Sequence, residues 1–179
     1  MPPSPQNNMN NSERLNNWKL HDSIRGHFGL ALYREMVKDP NIIVLLGDLG
    51  YGLFDSHRED FPDRVINCGA AEACMLGVAV GLAMEGKIPF VYTISAFYAR
   101  ALETIHLYAS EEQIPLRLVG SGRDNDYLHD GISHHGGLAQ AALGLLKLDF
   151  YYPNDKLEIA GVVEKMVKTN KPSFISLRR

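Results

Sequence analysis

Short, almost wholly apolar runs alternate with segments of helical spacing along most of this chain, and that alternation restricts its fold more than any other feature. Asn41-Ile42-Ile43-Val44-Leu45-Leu46 has no polar alternation and reads as a strand buried on both faces. Further strands are expected over 64–67, 88–93, 116–119, 150–152 and 173–177. Between them, Ile24, Phe28, Leu32 and Met36 recur at helical spacing, and more helices are expected over about 71–85, 96–112, 138–148 and 156–168. Gly86 stands where a glycine would end the helix that begins near Ala71. Strands of this kind need cover on both sides. The expected fold is therefore an α/β three-layer sandwich, a mainly parallel sheet between two layers of helices.

A chain of 179 residues, 45% hydrophobic and 22% charged, holds one globular domain, expected over residues 20–179. Residues 1–19 are rich in Asn, Pro and Ser and offer little apolar surface to offset the entropy of ordering, so a mobile tail is expected there. The net charge of −3, with both signs interspersed, leaves no basic footprint for nucleic acid. Small molecules or another protein are the expected partners. Cys68 and Cys74 make neither a disulfide framework nor a metal-type spacing. No signal peptide is visible, and no apolar run approaches the roughly 20 residues of a membrane span. A cytoplasmic location is expected.

Two places in this scaffold point to chemistry. Glu72 is the carboxylate where a strand runs into an otherwise apolar helix, and a glutamate is rarely buried there without a specific partner. The alternative is a glutamate that merely faces the helix dipole. The second place is the Gly-, Asp- and His-rich stretch 120–137. Loops longer than about 12–15 residues are commonly functional or disordered. His129, Asp130, His134 and His135 in it are of the types that ligate zinc or iron.

Five segments carry a resemblance. They are Gly47-Asp48-Leu49, the run from Phe61 to Glu72, the run from Gly81 to Pro89, the run from Thr93 to Arg100, and Asp130-Gly131-Ile132-Ser133-His134-His135-Gly136. In this order, from Leu20 to Arg179, the sequence resembles the pyrimidine-binding domain of transketolases and deoxyxylulose phosphate synthases, enzymes that use thiamine diphosphate. The resemblance implies the thiamine diphosphate-binding (pyrimidine domain) fold.

It also implies roles. Glu72 matches the glutamate that hydrogen-bonds a ring nitrogen of the aminopyrimidine and, by sharing its proton, lets the imino form deprotonate the thiazolium carbon. Ile94 and Phe97 match the apolar slot for that ring, with Arg100 further along. Asp48 matches an Asp near the cofactor and the subunit boundary; its alternative is a strand-end Asp that caps the next loop. Asp130 and His134 match residues that face the substrate, Asp130 contacting a hydroxyl and His134 binding the donor oxygen and moving protons. Arg25 and Arg179 fall where transketolases hold the substrate's phosphate, with surface charge as the alternative. His135 is placed near the site and His129 outside it. The chain departs from the pattern at Ile132, where a Pro is usual, and over 120–126, which lack a second substrate histidine.

Gly47-Asp48-Leu49-Gly50 with Asn67 mimics the Gly-Asp-Gly to Asn signature that holds magnesium and diphosphate, but the spacing is too short and the third residue is Leu. No metal ligands are therefore assigned to this chain. The magnesium and diphosphate ligands are expected on a separate, diphosphate-binding partner of the transketolase N-terminal type. The resemblance thus implies one subunit of a split transketolase-like transferase, a heterotetramer that forms or transfers a ketol or acyl carbanion unit from a small sugar or keto acid. The other readings are a non-catalytic regulatory or structural subunit that keeps the fold, and a His/Asp metal-dependent enzyme.

Overall fold

The computed structural model describes residues 10–179. Six strands form one sheet: β1 (Ile42–Leu46), β2 (Val65–Asn67), β3 (Ile88–Ile94), β4 (Arg117–Ser121), β5 (Asp149–Tyr151) and β6 (Ser173–Leu177). Their order is β2-β1-β3-β4-β6-β5, and every pairing is parallel. The expected three-layer α/β architecture is the one observed.

Two apolar clusters, one on each side, explain why the strands lack polar alternation. Along β1, Val44 and Leu46 face one cluster and Leu45 the other, as the two-residue strand period requires. On the first side, helix α2 (Ile24–Lys38) contributes Phe28, Leu32, Tyr33 and Met36, and the late helix Ile159–Lys168 contributes Ile159, Val163 and Met166. On the second side, α4 (Glu72–Met84) buries Met75, Leu76, Ala79 and Val80 against Leu45, Val91 and Leu118. The remaining α-helices are α1 (Asn11–Asn16), α3 (Asp55–Asp60), α5 (Leu102–Thr104) and α6 (Gly137–Leu143); Ile159–Lys168 is α7. None among the described residues is long and apolar enough to cross a membrane.

Four regions depart from expectation. Residues 1–9 of the expected mobile tail lie outside the described residues, but Asn11–Asn16 is a helix rather than a tail. Asn10 and Glu13 form a capping box, and Arg14 reaches Asp60 with hydrogen bonds of 2.9 and 2.8 Å. Trp18 then seals the segment onto Tyr33, ring centroids 4.9 Å apart, and Leu15 packs against the same apolar cluster. Helix α3 was absent from the expectation because its sequence is polar; its buried face is made by His57 with the flanking Phe54 and Phe61.

The expected continuous helix over 96–112 is instead a 3-10 segment (Ser95–Ala101), the single α-turn of α5 and a π-helical segment (Ile105–Glu111). Tyr98 holds its start against the sheet, donating to the Val91 carbonyl at 2.7 Å and accepting from the Val119 amide at 2.9 Å. Regular α-winding gives way to those tertiary bonds. The stretch 120–137 is not a bare loop either: β4 runs to Ser121, and two 3-10 turns, Leu128–Asp130 and Ile132–His134, precede α6.

Candidate active site

Crevices for ligands in open parallel sheets lie beyond the carboxyl ends of the strands, where the winding reverses. Here β1 passes to β2 on one side, while β3 returns to the other side of β1, so the reversal lies between β1 and β3. Glu72 is at that point. It opens α4 without a side-chain cap and is only 3% exposed. Gly47, just past β1, leaves the space in front of it free: a β-carbon there would meet the Glu72 Oε1 at 3.7 Å and the Thr93 Oγ1 at 3.3 Å. Thr93 is wholly buried, and its hydroxyl has no hydrogen-bond partner among the described residues. A buried carboxylate and an unpaired buried hydroxyl thus face one small space at the end of the sheet.

Arg100 closes that space from outside. Its Nη1 lies 3.3 Å from Glu72 Oε1, and its guanidinium sits over the Phe97 ring at 4.1 Å from the centroid. Phe97 in turn meets His134 edge to face at 5.1 Å. Ser133 fixes the imidazole through a 3.0 Å contact with Nδ1. His134 also lies 6.2 Å, centroid to centroid, from Tyr127. The structure therefore joins the 3-10 segment after β3 to the loop after β4, and brings Glu72, Phe97, Arg100 and His134 together.

Beyond Tyr127 lie the two arginines. Arg25, in the first turn of α2, points Nη1 at the Tyr127 hydroxyl (3.3 Å) and Ser121 Oγ (3.5 Å). Arg179 stands over the Tyr127 ring at 5.3 Å, donates to His129 Nε2 at 2.9 Å and lies 3.9 Å from Asp130. His129, expected outside the site, thus belongs to the Arg179 cluster and is 3.3 Å from Asp130. His135 is exposed. A cavity of about 620 Å³ opens alongside, lined among others by Arg25, Tyr92, Ile94, Ser121 and Tyr127. Glu72 does not line it.

Asp48 shares the same edge of the sheet but not the same contacts. It has a positive φ of 55°, and its carboxylate accepts from Tyr51 at 2.8 Å and from the Asn67 amide at 3.1 Å. Those two bonds hold its carboxyl below the usual carboxylate range. Its geometry is that of a clamp between the loops after β1 and β2. Among the described residues no three His, Cys, Asp or Glu side chains gather as a metal site, so His129, Asp130, His134 and His135 do not form one.

Thr93, Ser121 and Tyr127 were not foreseen. Thr93 carried a faint signal, a polar residue inside an apolar strand. Tyr127 carried less, as an aromatic in a polar loop.

Comparison with known proteins gives the family and the fold. The family model for the transketolase pyrimidine binding domain matches residues 23–179. Transketolase of Rattus norvegicus is 33% identical over 175 residues, 91% of this chain and 27% of that protein. An uncharacterized 33.6 kDa protein in the fasciation locus of Rhodococcoides fascians is 37% identical over 115 residues, 64% of this chain and 37% of its own length. A solved split gene transketolase, an inactive beta4 tetramer, superposes with a TM-score of 0.76 at 29% identity, covering 88% of this chain and 51% of that one. Transketolase of Campylobacter jejuni shares the fold with a TM-score of 0.76 at 18% identity, covering 93% of this chain and 29% of that one. The chain thus spans from about a quarter to about half of the length of these relatives.

Proposed function

This chain belongs to the transketolase pyrimidine-binding domain family, and from that premise we propose that it is the pyrimidine-domain subunit of a split, thiamine diphosphate-dependent, transketolase-like transferase. The observation that carries the reading is the buried Glu72 carboxylate at the reversal between β1 and β3, beside the unpartnered Thr93 hydroxyl. Ile94 and Phe97, both partly buried nearby, supply apolar surface for a flat ring. These residues fit an aminopyrimidine: a ring nitrogen at Glu72, a polar substituent within reach of Thr93, and the ring faces against carbon.

When bound, thiamine diphosphate supplies a carbon nucleophile and an electron sink. The contribution of this chain is proton control. Glu72 holds the proton it shares with the ring nitrogen, in a place where burial keeps water from competing for it. The Arg100 guanidinium contacts Glu72 Oε1 and lies over Phe97, which leaves Glu72 Oε2 for the ring nitrogen. His134 and Asp130 hold and orient substrate oxygens, and Arg25 and Arg179 take its anionic end. Asp48 acts at one remove, by shaping the loop through Tyr51 and Asn67. Magnesium and diphosphate ligands are assigned to a diphosphate-binding partner subunit, and the free Cys68 and Cys74 suit a reducing, cytoplasmic setting.

The purified chain supplied with magnesium and thiamine diphosphate is expected to be inert and to bind the cofactor poorly. Turnover should appear on mixing with a diphosphate-binding subunit. Steady turnover by the isolated chain would sink the split-enzyme reading.

A further inference from the structure

We propose that Tyr127 is a specificity-determining residue of the substrate cavity: with Arg25, Tyr92 and Ser121 it receives the terminal oxyanion, phosphate or carboxylate, of the substrate. The proposal rests on the transketolase-like reading and deepens it, because that resemblance gives no role to Tyr127, Tyr92 or Ser121.

The argument is one of donors and acceptors. Ser121 Oγ and the Tyr127 hydroxyl are 2.9 Å apart, and Arg25 Nη1 points at both. The buried Tyr92 lines the same cavity as Arg25, Ser121 and Tyr127. Arg25 Nε is buried and has no hydrogen-bond partner among the described residues. A guanidinium accepts nothing, and each hydroxyl brings a proton. The acids of the adjacent loop are engaged elsewhere: Asp124 by Arg178, Asp126 by the main chain of Arg123 and Arg179, and Asp130 beside His129 and Arg179. Donors therefore outnumber acceptors around Arg25, and the missing lone pairs are those of an anion.

Tyr127 reaches this position because residue 122 is glycine. Gly122 has φ +83°, and a β-carbon there would lie 2.1 Å from Tyr127 Cε2. Any side chain at that point and the phenol exclude each other. The stretch that lacks the family's second substrate histidine is thus filled from its far end by a phenol, which donates a hydrogen bond without adding charge. A site built to pair a polar group discriminates strongly against substrates that leave it unpaired.

Nuclear magnetic resonance on the isotope-labelled chain tests this at constant ionic strength, with inorganic phosphate in one titration and acetate in another. The expected result is saturable shifts of the Arg25 Nε–H and of the Ser121 and Tyr127 amides. Tyr127→Phe keeps the ring against Gly122, so it should retain the wild-type circular dichroism while weakening the anion about 10- to 100-fold, the loss of one charge-assisted hydrogen bond. Tighter binding of phosphate assigns a phosphate-terminated substrate, and tighter binding of acetate a carboxylate-terminated one. Equal affinities of wild type and Tyr127→Phe for both anions, or no saturation by either, overturn the proposal. Neither cofactor, partner nor Glu72 enters the measurement. Its failure leaves the thiamine reading standing, and an inert reconstituted complex leaves the anion cage standing.

Discussion

Two arginines mark the opposite ends of β4, and their surroundings differ in kind. Arg117 begins the strand, only 2% exposed. Its three guanidinium nitrogens end on main-chain carbonyls: Nε on Met166 at 2.9 Å, Nη2 on Thr169 at 2.6 Å and Val167 at 3.5 Å, and Nη1 on Pro115. Met166, Val167 and Thr169 lie at the carboxyl end of α7, where carbonyls lack helical partners and the dipole favours a cation. Arg25 meets the other end of β4 at Ser121, with one nitrogen on two hydroxyls and Nε on no partner among the described residues. The first arginine is satisfied within the fold, and the second is satisfied only in part by the described residues. The same contrast separates Thr93 and Glu72 from the apolar layers around them. Within the proposed site, polar groups without a partner among the described residues, Thr93 Oγ1 and Arg25 Nε, lie at the carboxyl end of the sheet.

The largest effect should come from the unfinished end. Glu72→Gln keeps the shape of the side chain and removes its exchangeable proton. In the reconstituted complex, turnover should fall by about 10²–10⁴-fold, as for other positioned acid–base groups, with assembly unchanged. Near-normal turnover with intact assembly would remove Glu72 from the chemistry and collapse the contrast.

At the finished end the effect should be on stability instead. Arg117→Met leaves the carbonyls of α7 and of Pro115 without their donor, at a cost of about 2–4 kcal/mol read from the shift of the urea midpoint. Turnover per folded complex should be unchanged. Burial lowers the Arg117 pKa to about 10, so its cation is intact at neutral pH and the loss should show there.

The smallest effect sharpens the scaffold side. His57 donates Nε2–H to the Gly29 carbonyl at 3.0 Å, its Nδ1 has no partner among the described residues, and burial lowers its pKa from 6.5 to about 3. Between those values the unfolded chain binds a proton that the folded chain refuses, so stability is full above pH 6.5 and declines as pH falls toward 3. The slope contributed by this one group is at most about 1.4 kcal/mol per pH unit. Urea midpoints taken from pH 7 to pH 5 should fall more steeply for the wild type than for His57→Gln. Parallel profiles would mean that His57 titrates in the folded state.

The layers of this fold were legible because they depend on local pattern. Apolar β1, β3, β4 and β6 demand cover on both faces, and Phe28, Leu32 and Met36 supply part of it at helical spacing. Glu72 was legible for the same reason, as one carboxylate at the start of an apolar helix. Helix α1 was not, since its docking depends on Trp18 finding Tyr33 and Arg14 finding Asp60, partners 15 and 46 positions away. Nor was the winding after β3, because helical periodicity does not distinguish α from 3-10 or π segments once Tyr98 binds the central strands β3 and β4 and Ser95 binds Gly122 just past β4.

By itself, then, the sequence determined which segments must be buried, on which faces, and which of its acids and bases belong to types that do chemistry. Only the tertiary structure decided which of them meet. Strand order puts the ends of β1 and β3 together around Glu72 and Thr93. It also places Tyr127 against Arg25, 102 residues earlier in the chain. Hydrophobic pattern specifies a face, which is a property of one segment. A hydrogen bond specifies a direction and a distance between two atoms, and those follow from how the segments are ordered in the sheet.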